Sequence, residues 1–502
     1  MATLKQIYRH GLALLTDLYE LTMAQGYWKL GRADRQAVFH LFFRRAPFNS
    51  GYTVAAGLGT LLEALEDFHF GAEDLAYLAT LQAPDGSRLF EEGFLEELGR
   101  LRLSCDVDAV PEGTVVFPQE PLVRVRGPIL EAQLLESMVL NIINFQTLVA
   151  TKAARICAAA RGDAVLEFGL RRAQGIDGGL AASRAAYIGG CAATSNVLAG
   201  KLYGIPVRGT HAHSWVMSFD SEPEAFEAWA QAMPNNCLLL VDTYDTLAGV
   251  QHAIEIGRRL REQGRHLLGI RLDSGDLAYL SQQARAMLDE AGFTDAVIVA
   301  SNDLDESVIA SLKEQGAAVD VWGVGTRLVT AHEEPALGGV YKLAALQSPD
   351  GRDGWEPRVK VSEQAVKTTI PGVLQVRRFH RPATGDDPGV LVGDMIYDEA
   401  MIGPPDDRHL VLVDPADATR RKRLGPDCEG EDLLIPVMRS GELTCALPDL
   451  ASIRTRTHRQ LTSLHPAIRR FLNPHEYPVG LEPRLHQHRA ELILTARGHG
   501  DD

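Results

Sequence analysis

The sequence points to an α/β protein organised around a barrel of parallel strands, and three observations carry that expectation. First, short apolar runs recur through the middle of the chain, at Ala164–Gly169, Ile205–Thr210, Cys237–Asp242, Leu267–Asp273, Ala296–Ser301 and Val319–Gly323. Near-continuous apolar runs are what strands buried on both faces look like. Second, stretches of helical periodicity lie between them, at Thr246–Glu262, Leu277–Ala291 and Asp303–Gln315. The resulting repeat of roughly 30 residues is the length of a strand–helix–strand unit. Third, no G-x-G-x-x-G turn follows the first strand, and so many strands in succession favour a closed or nearly closed barrel over an open dinucleotide-binding sheet.

The flanking elements follow in order. The first ~130 residues mix helical and strand-like segments punctuated by Pro and Gly. Glu131–Ala154 reads as a helix, because Leu135, Met138, Val139 and Ile142 share one face at i, i+3, i+4 and i+7. After about residue 340 the barrel rhythm stops. Ser348–Trp355 and Gly385–Gly389 read as loops, and the basic run Arg420-Arg421-Lys422-Arg423 reads as a solvated face ahead of an Arg- and His-rich C-terminal region. The expected division is therefore 1–130, 131–345 for the catalytic barrel, and 346–502.

Composition narrows the function. A chain of 502 residues exceeds one ordinary core, and 45% hydrophobic with 23% charged residues excludes wholesale disorder. The formal charge of −16 argues against nucleic acid as a partner. A small anionic substrate remains compatible, since a few placed Arg residues override the mean field locally. The six cysteines are scattered without a C-x-x-C pair, which speaks against a disulfide framework or zinc site and for a reducing compartment. No apolar stretch approaches the ~20 residues of a bilayer span. The Gly11–Leu15 patch runs at once into Asp17 and Glu20, unlike a secretory signal, so a cytoplasmic location without membrane partners is expected.

In α/β barrels the chemistry sits where strands end. These ends carry Glu167–Arg172, Gly209–Ser214, Asp242–Asp245, Arg271–Asp276, Ser301–Asp303 and Gly323–Arg327. An Asp or Ser there is as often the cap of the next helix, and for Asp245, Ser274 and Asp303 the two readings are even. Capping does not call for Arg171, His213 and Arg271. Together the groups suit phosphate handling with a cationic transition state. Ser274-Gly275-Asp276 and Gly323-Val324-Gly325-Thr326 can offer backbone N–H groups to phosphates, and Arg271 can clamp one. Asp242, Asp273 and Asp276 are carboxylates of the kind that hold Mg²⁺ or stabilise positive charge on a sugar. Tyr19 and Phe168 can sandwich a flat heteroaromatic ring. His213 is open to roles as base, ligand or nucleophile. No P-loop motif is present.

The joint order of several motifs resembles the nicotinate phosphoribosyltransferases over most of the chain. They are Thr16–Met23, Phe168–Gly175, Gly209–Ser214, Leu272–Asp276, Lys367–Gly372 and the closing Asn473–Gly480. The resemblance implies an irregular (β/α) barrel of the type II phosphoribosyltransferase kind, packed against an α/β sandwich built from both chain ends. It implies transfer of phosphoribosyl from phosphoribosyl pyrophosphate to nicotinate in NAD salvage, coupled to ATP hydrolysis and dependent on Mg²⁺, in a homodimer with shared sites. Tyr19 and Phe168 would stack on the pyridine ring, and Arg171 would face the nicotinate carboxylate or a nearby phosphate. His213 matches the family's phosphohistidine, with Asp242 orienting it and Asp273 near ribose and metal. Arg271, Gly275, Gly325 and Thr326 would hold phosphates. Thr194-Ser195-Asn196 occupies the stretch where an acidic residue would favour nicotinamide; its lack of one favours the anionic acid. His211, two residues from His213, is the lesser candidate acceptor. Nicotinamide or quinolinate transfer, and a catalytically dead metabolite sensor, are the competing readings; turnover with each pyridine separates them.

Overall fold

The computed structural model describes residues 11–348, 354–364, 367–382, 389–405, 410–444 and 446–498. Most of the expected loops at 348–355 and 385–389, and Cys445, lie outside them. The chain divides into two compact units, Val149–Pro335 and a second formed from Met1–Leu148 with Ala336–Asp502. The divisions thus fall near 148 and 335, where 130 and 345 were expected, and both chain ends belong to one unit.

The Val149–Pro335 unit holds a six-stranded parallel sheet. Its order is Ala193–Thr194, Ala164–Glu167, Val321–Val324, Val297–Asn302, Gly269–Leu272, Leu238–Leu240. Leu239, Leu240, Ile270, Leu272, Ile298, Trp322 and Val324 are fully buried, as continuous apolar runs require. Five of the six expected strands are present. The sixth, Ile205–Thr210, makes only a single bridge from Val207 to Thr194, and the Thr210 hydroxyl donates to the Leu238 carbonyl at 2.6 Å. Pro206 has no N–H to give, and Gly209 weakens any strand through it, so this run cannot sustain a ladder of its own length.

Between the strands run helices Thr246–Glu262, Leu277–Glu290 and Glu306–Glu314. Each starts at an aspartate whose side chain accepts a backbone N–H: Asp245 from Ala248 (2.8 Å), Asp276 from Tyr279 (3.1 Å) and Asp305 from Val308 (2.8 Å). Among the three residues weighed as caps, Asp245 is one; Ser274 and Asp303 are not. The sequence reading had no place for helix Ile176–Ile188 or the two-residue strand Ala193–Thr194. The expected helix over 131–154 is two helices, Ile129–Leu134 and Glu136–Ala159, interrupted at Leu135.

The second unit contains an antiparallel seven-stranded sheet. Its order is Trp355–Pro357, Gly339–Gln347, Gln36–Phe43, Val123–Pro128, Asp106–Ala109, Ile435–Arg439, Glu442–Leu443. Three strands from the N-terminal part thus lie in the middle of one sheet, flanked on each side by two from the C-terminal part. A six-stranded mixed sheet carries Leu374–Arg381 beside Val390–Asp398. Here the Arg378 guanidinium and Asp394 carboxylate form a fully buried pair, and the Tyr477 hydroxyl donates to Asp394 at 2.8 Å. Tyr477 stacks on Phe117 with ring centroids 3.8 Å apart, so the tyrosine of the closing motif is a core residue. The five described cysteines are free. Among the described residues no helix is long and apolar enough to cross a membrane.

Candidate active site

Two histidines two residues apart have opposite surroundings. His211 is buried, its Nε2 accepts the Leu240 N–H at 3.3 Å, and its ring lies 4.9 Å from that of Trp229. Burial first, then the neighbouring Arg271 and His213, push its pKa down to about 4. It is a neutral, occupied imidazole. His213 opens the short helix His213–Met217 and is about 38% exposed. Its Nδ1 lies 3.1 Å from the Thr243 hydroxyl, and its Nε2 lies 3.7 Å from Asp273 Oδ2.

The carboxylates beside it are tied together. Asp242 Oδ2 accepts the Asp273 N–H (2.8 Å) and the Ser274 hydroxyl (2.6 Å), while Asp242 Oδ1 is buried without a hydrogen-bond donor. Ser301 donates its hydroxyl to Asp273 Oδ1. Asp242 therefore orients Asp273, and the group bonded to His213 Nδ1 is Thr243, where Asp242 was expected.

Phe168 follows the Ala164–Glu167 strand, and its N–H donates to the Val324 carbonyl at 2.8 Å. Its half-buried ring lies over Gly323: a Cβ there would stand 2.8 Å from Phe168 Cδ2. Gly323 is thus glycine because the ring occupies the space of a side chain. Arg271 is mostly buried; its Nη1 donates to the His211 carbonyl at 3.3 Å, and its Nε has no partner. Burial and Arg171 push its pKa down, against Asp273 and Asp242. Arg171 sits exposed on the turn Leu170–Arg172.

Thr194 is fully buried, and its hydroxyl donates to Glu167 at 2.5 Å, so it is committed to the interior rather than offered to a ligand. Ser195 is half-buried and donates its backbone N–H to the Glu167 main-chain carbonyl at 2.9 Å. The stretch that lacks an acidic residue in sequence therefore has one in space. Both Glu167 carboxylate oxygens are engaged, however, by the Gly169 N–H on one and the hydroxyls of Ser183 and Thr194 on the other. Of the expected phosphate-binding residues, Ser274 serves Asp242 and exposed Asp276 caps a helix. Gly275 adopts a left-handed φ of 78° between them, and Gly325 with Thr326 forms the turn into the short helix Thr326–Val329. Tyr19 belongs to the second unit, on helix Leu18–Lys29, where burial and Glu136 push its hydroxyl pKa upward.

Residues 14–144, 164–350 and 377–489 match in turn the nicotinate phosphoribosyltransferase N-terminal domain, family and C-terminal domain. Nicotinate phosphoribosyltransferase of Bacillus subtilis is 44% identical over 483 residues, covering 96% of this chain and 95% of that one. The chain belongs to the nicotinate phosphoribosyltransferase family. The human nicotinate phosphoribosyltransferase is 36% identical over 94% of this chain and 95% of its own. The crystal structure of human nicotinic acid phosphoribosyltransferase superposes with a TM-score of 0.81 at 34% identity, over 95% of this chain and 99% of that one. Its fold is thus that of a type II phosphoribosyltransferase. A nicotinate-nucleotide pyrophosphorylase from Pyrococcus furiosus, 20% identical with a TM-score of 0.65 over 90% of this chain and 95% of that one, shares the fold.

Within a nicotinate phosphoribosyltransferase, two hydroxyls absent from the expected site stand out. Thr243 and Ser301 both lie at strand ends already singled out, but a hydroxyl there reads as a cap or turn residue until its partner is seen. Mg²⁺ asks for one or two carboxylate oxygens and takes its other ligands from phosphates and water. The unpartnered Asp242 Oδ1 and the Asp273 Oδ2 facing His213 meet that need. Among the described residues no group of three His, Cys, Asp or Glu side chains can cage a metal, so the ion would depend on substrate for most of its ligands.

Proposed function

We propose that this enzyme condenses nicotinate with phosphoribosyl pyrophosphate to give nicotinate mononucleotide and pyrophosphate, with ATP hydrolysis coupled through phosphorylation of His213, as a salvage step toward NAD. The observation that carries the coupling is the pairing of His213 with Thr243 on one ring nitrogen and Asp273 near the other.

In this reading Nδ1–H donates to the Thr243 hydroxyl, which leaves the Nε2 lone pair to attack the terminal phosphorus of ATP as ADP departs. Asp273, 3.7 Å from Nε2, stabilises the positive charge that develops on the ring. Arg271 and the Gly275 and Gly325 amides hold phosphates. Bound Mg²⁺, held by Asp242 and Asp273, would neutralise charge on the departing phosphates. In the glycosyl transfer, Phe168 positions the pyridine ring while its nitrogen attacks the anomeric carbon, and the carboxylate of Asp273 offsets the cationic character of the sugar. Arg171 faces the nicotinate carboxylate. Both Glu167 carboxylate oxygens are engaged by Gly169, Ser183 and Thr194, so neither is turned toward a ligand amide N–H near the Thr194–Asn196 stretch, which supports the acid over the amide.

Labelled ATP should place acid-labile phosphate on His213, and His213→Ala should abolish it; label kept by that variant would overturn the acceptor assignment. Nicotinate turnover with and without ATP measures the coupling. For the proposed dimer with shared sites, mixing inactive Tyr19→Ala and His213→Ala chains should restore partial activity. No recovery in a verified mixed dimer would refute sharing.

A further inference from the structure

Two sequence features lie apart from the proposed reaction, the basic run at 420–423 and the closing motif at 473–480. In the second unit they line the same cavity, of about 820 Å³. Arg421–Arg423 forms the edge strand of the mixed sheet, paired antiparallel with Val411–Val413. Asn473 to Val479 supplies another part of the lining, with Arg470 just before it in sequence.

The charges in this cavity are unbalanced. Its lining has four cationic side chains, Arg420, Arg421, Lys422 and Arg470, against two carboxylates, Asp414 and Glu476. Both carboxylates pair with the same cation: Arg420 stands 2.9 Å from Glu476 and 3.5 Å from Asp414. Among the described residues this leaves Arg421, Lys422 and Arg470 without a carboxylate partner. Each is nevertheless held in place by one backbone carbonyl. Arg421 donates through Nε to Ala418 (3.0 Å), Arg470 through Nε to Ala467 (3.2 Å), and Lys422 through Nζ to Val392 (2.8 Å). Anchoring at Nε leaves both terminal nitrogens of each guanidinium available, the geometry suited to bidentate capture of a phosphate.

We propose that this cavity binds a small phosphorylated anion through Arg421 and Arg470. Its volume lies within the range of small-molecule sites and exceeds what one phosphate fills. The formal charge of −16 on the whole chain would repel an extended polyanion or an anionic membrane, whereas a compact anion can enter the local positive field. The assignment is independent of the proposed reaction, since no residue of the His213 site lines the cavity.

Inorganic pyrophosphate without metal is the probe, and calorimetric stoichiometry is the readout. Wild type should bind two per chain, one at the His213 site and one here. Arg421→Glu with Arg470→Glu should bind one, with at least tenfold loss at the second site and unchanged turnover. Both side chains are exposed, so an unaltered melting temperature will verify folding. An Asp273→Asn, Arg271→Ala chain should retain the second site, which separates it from the reaction centre. Retention of both sites by the double glutamate variant overturns the proposal. So does wild-type stoichiometry of one that is unchanged in that variant, or binding of anionic vesicles in place of pyrophosphate.

Discussion

Replacing Gly323 by alanine inserts a single methyl group at the point where the strand meets the Phe168 ring. The new Cβ would stand 2.8 Å from Phe168 Cδ2, 3.0 Å from its Cε2 and 3.4 Å from Ser301 Cβ. Carbon atoms rest comfortably at about 3.5–4.0 Å, so the ring must retreat by roughly 1 Å. It can do so: Phe168 is half-buried, and only its backbone is pinned, through the Val324 carbonyl. The fold should therefore lose only about 1 kcal/mol, the low end for an added methyl in a packed site. The ring, however, moves out of register with the pyridine it is proposed to stack on. A well-placed aromatic pair contributes about 0.5–1.5 kcal/mol, which predicts a rise of about two- to twelvefold in KM for nicotinate. Steady-state kinetics with nicotinate varied at saturating phosphoribosyl pyrophosphate reads this directly, and labelling of His213 by ATP should be unchanged. In a Phe168→Leu background, which lacks the ring, Gly323→Ala should add little. An unchanged nicotinate KM in folded Gly323→Ala enzyme, or an equal penalty with and without the ring, would show that Phe168 is not the stacking face.

Thr243→Val removes the hydroxyl from His213 Nδ1 while keeping the shape, and at about 1 kcal/mol for such a bond should slow phosphorylation roughly fivefold. Nicotinate KM should stay constant, and rapid-quench labelling provides the check. Asp276→Ala should cost about 1 kcal/mol in chemical denaturation through loss of the cap on helix Leu277–Glu290, with KM for phosphoribosyl pyrophosphate unchanged; a large rise in that KM would restore the phosphate role. His211 has a folded pKa of about 4, below its unfolded value, so the unfolded chain takes up a proton that the native state refuses. Its contribution to stability is therefore intact above about pH 6.5 and declines as pH falls toward 4, and its ring resonances in NMR should remain those of a neutral imidazole at about pH 5. A midpoint near 6.5 would contradict the buried, occupied ring.

The central unit was legible because its strands are buried on both faces, and a run such as Ala296–Ser301 announces itself without reference to anything distant. The second unit was not, because its seven-stranded sheet combines strands from residues 36–43, 339–347 and 435–439, and no local pattern reveals pairing across three hundred residues. Ile205–Thr210 failed for a smaller reason: apolar content outvoted the missing N–H of Pro206. At the site, His213 and Asp273 could be named because an imidazole and a carboxylate at strand ends are chemically conspicuous. Thr243 and Ser301 could not, since a hydroxyl becomes a positioning group only once its partner is located. Thr194 and Asp276 misled in the opposite sense: the first faces Glu167 and the second faces its own helix, and sequence spacing carries no direction.

The acidity of the chain and the negative charge of its proposed substrates are reconciled by how the site distributes charge. Arg271 is mostly buried with Nε unsatisfied, and Arg171 is close enough to oppose its charge. The Arg271 guanidinium, largely withdrawn from water beside the exposed Arg171, is poorly solvated until an anion arrives, so a phosphate gains more here than at the surface. Asp273 and Asp242 offset part of the positive charge of Arg271 and so moderate the attraction. Negative charge already lies beside His213, and in the proposed reaction it also lies beside the anomeric centre, where a cation develops only during turnover. In the proposed reaction the same two carboxylates moderate ground-state binding of anions and favour the cationic transition state, so exchanging either for an amide should change both.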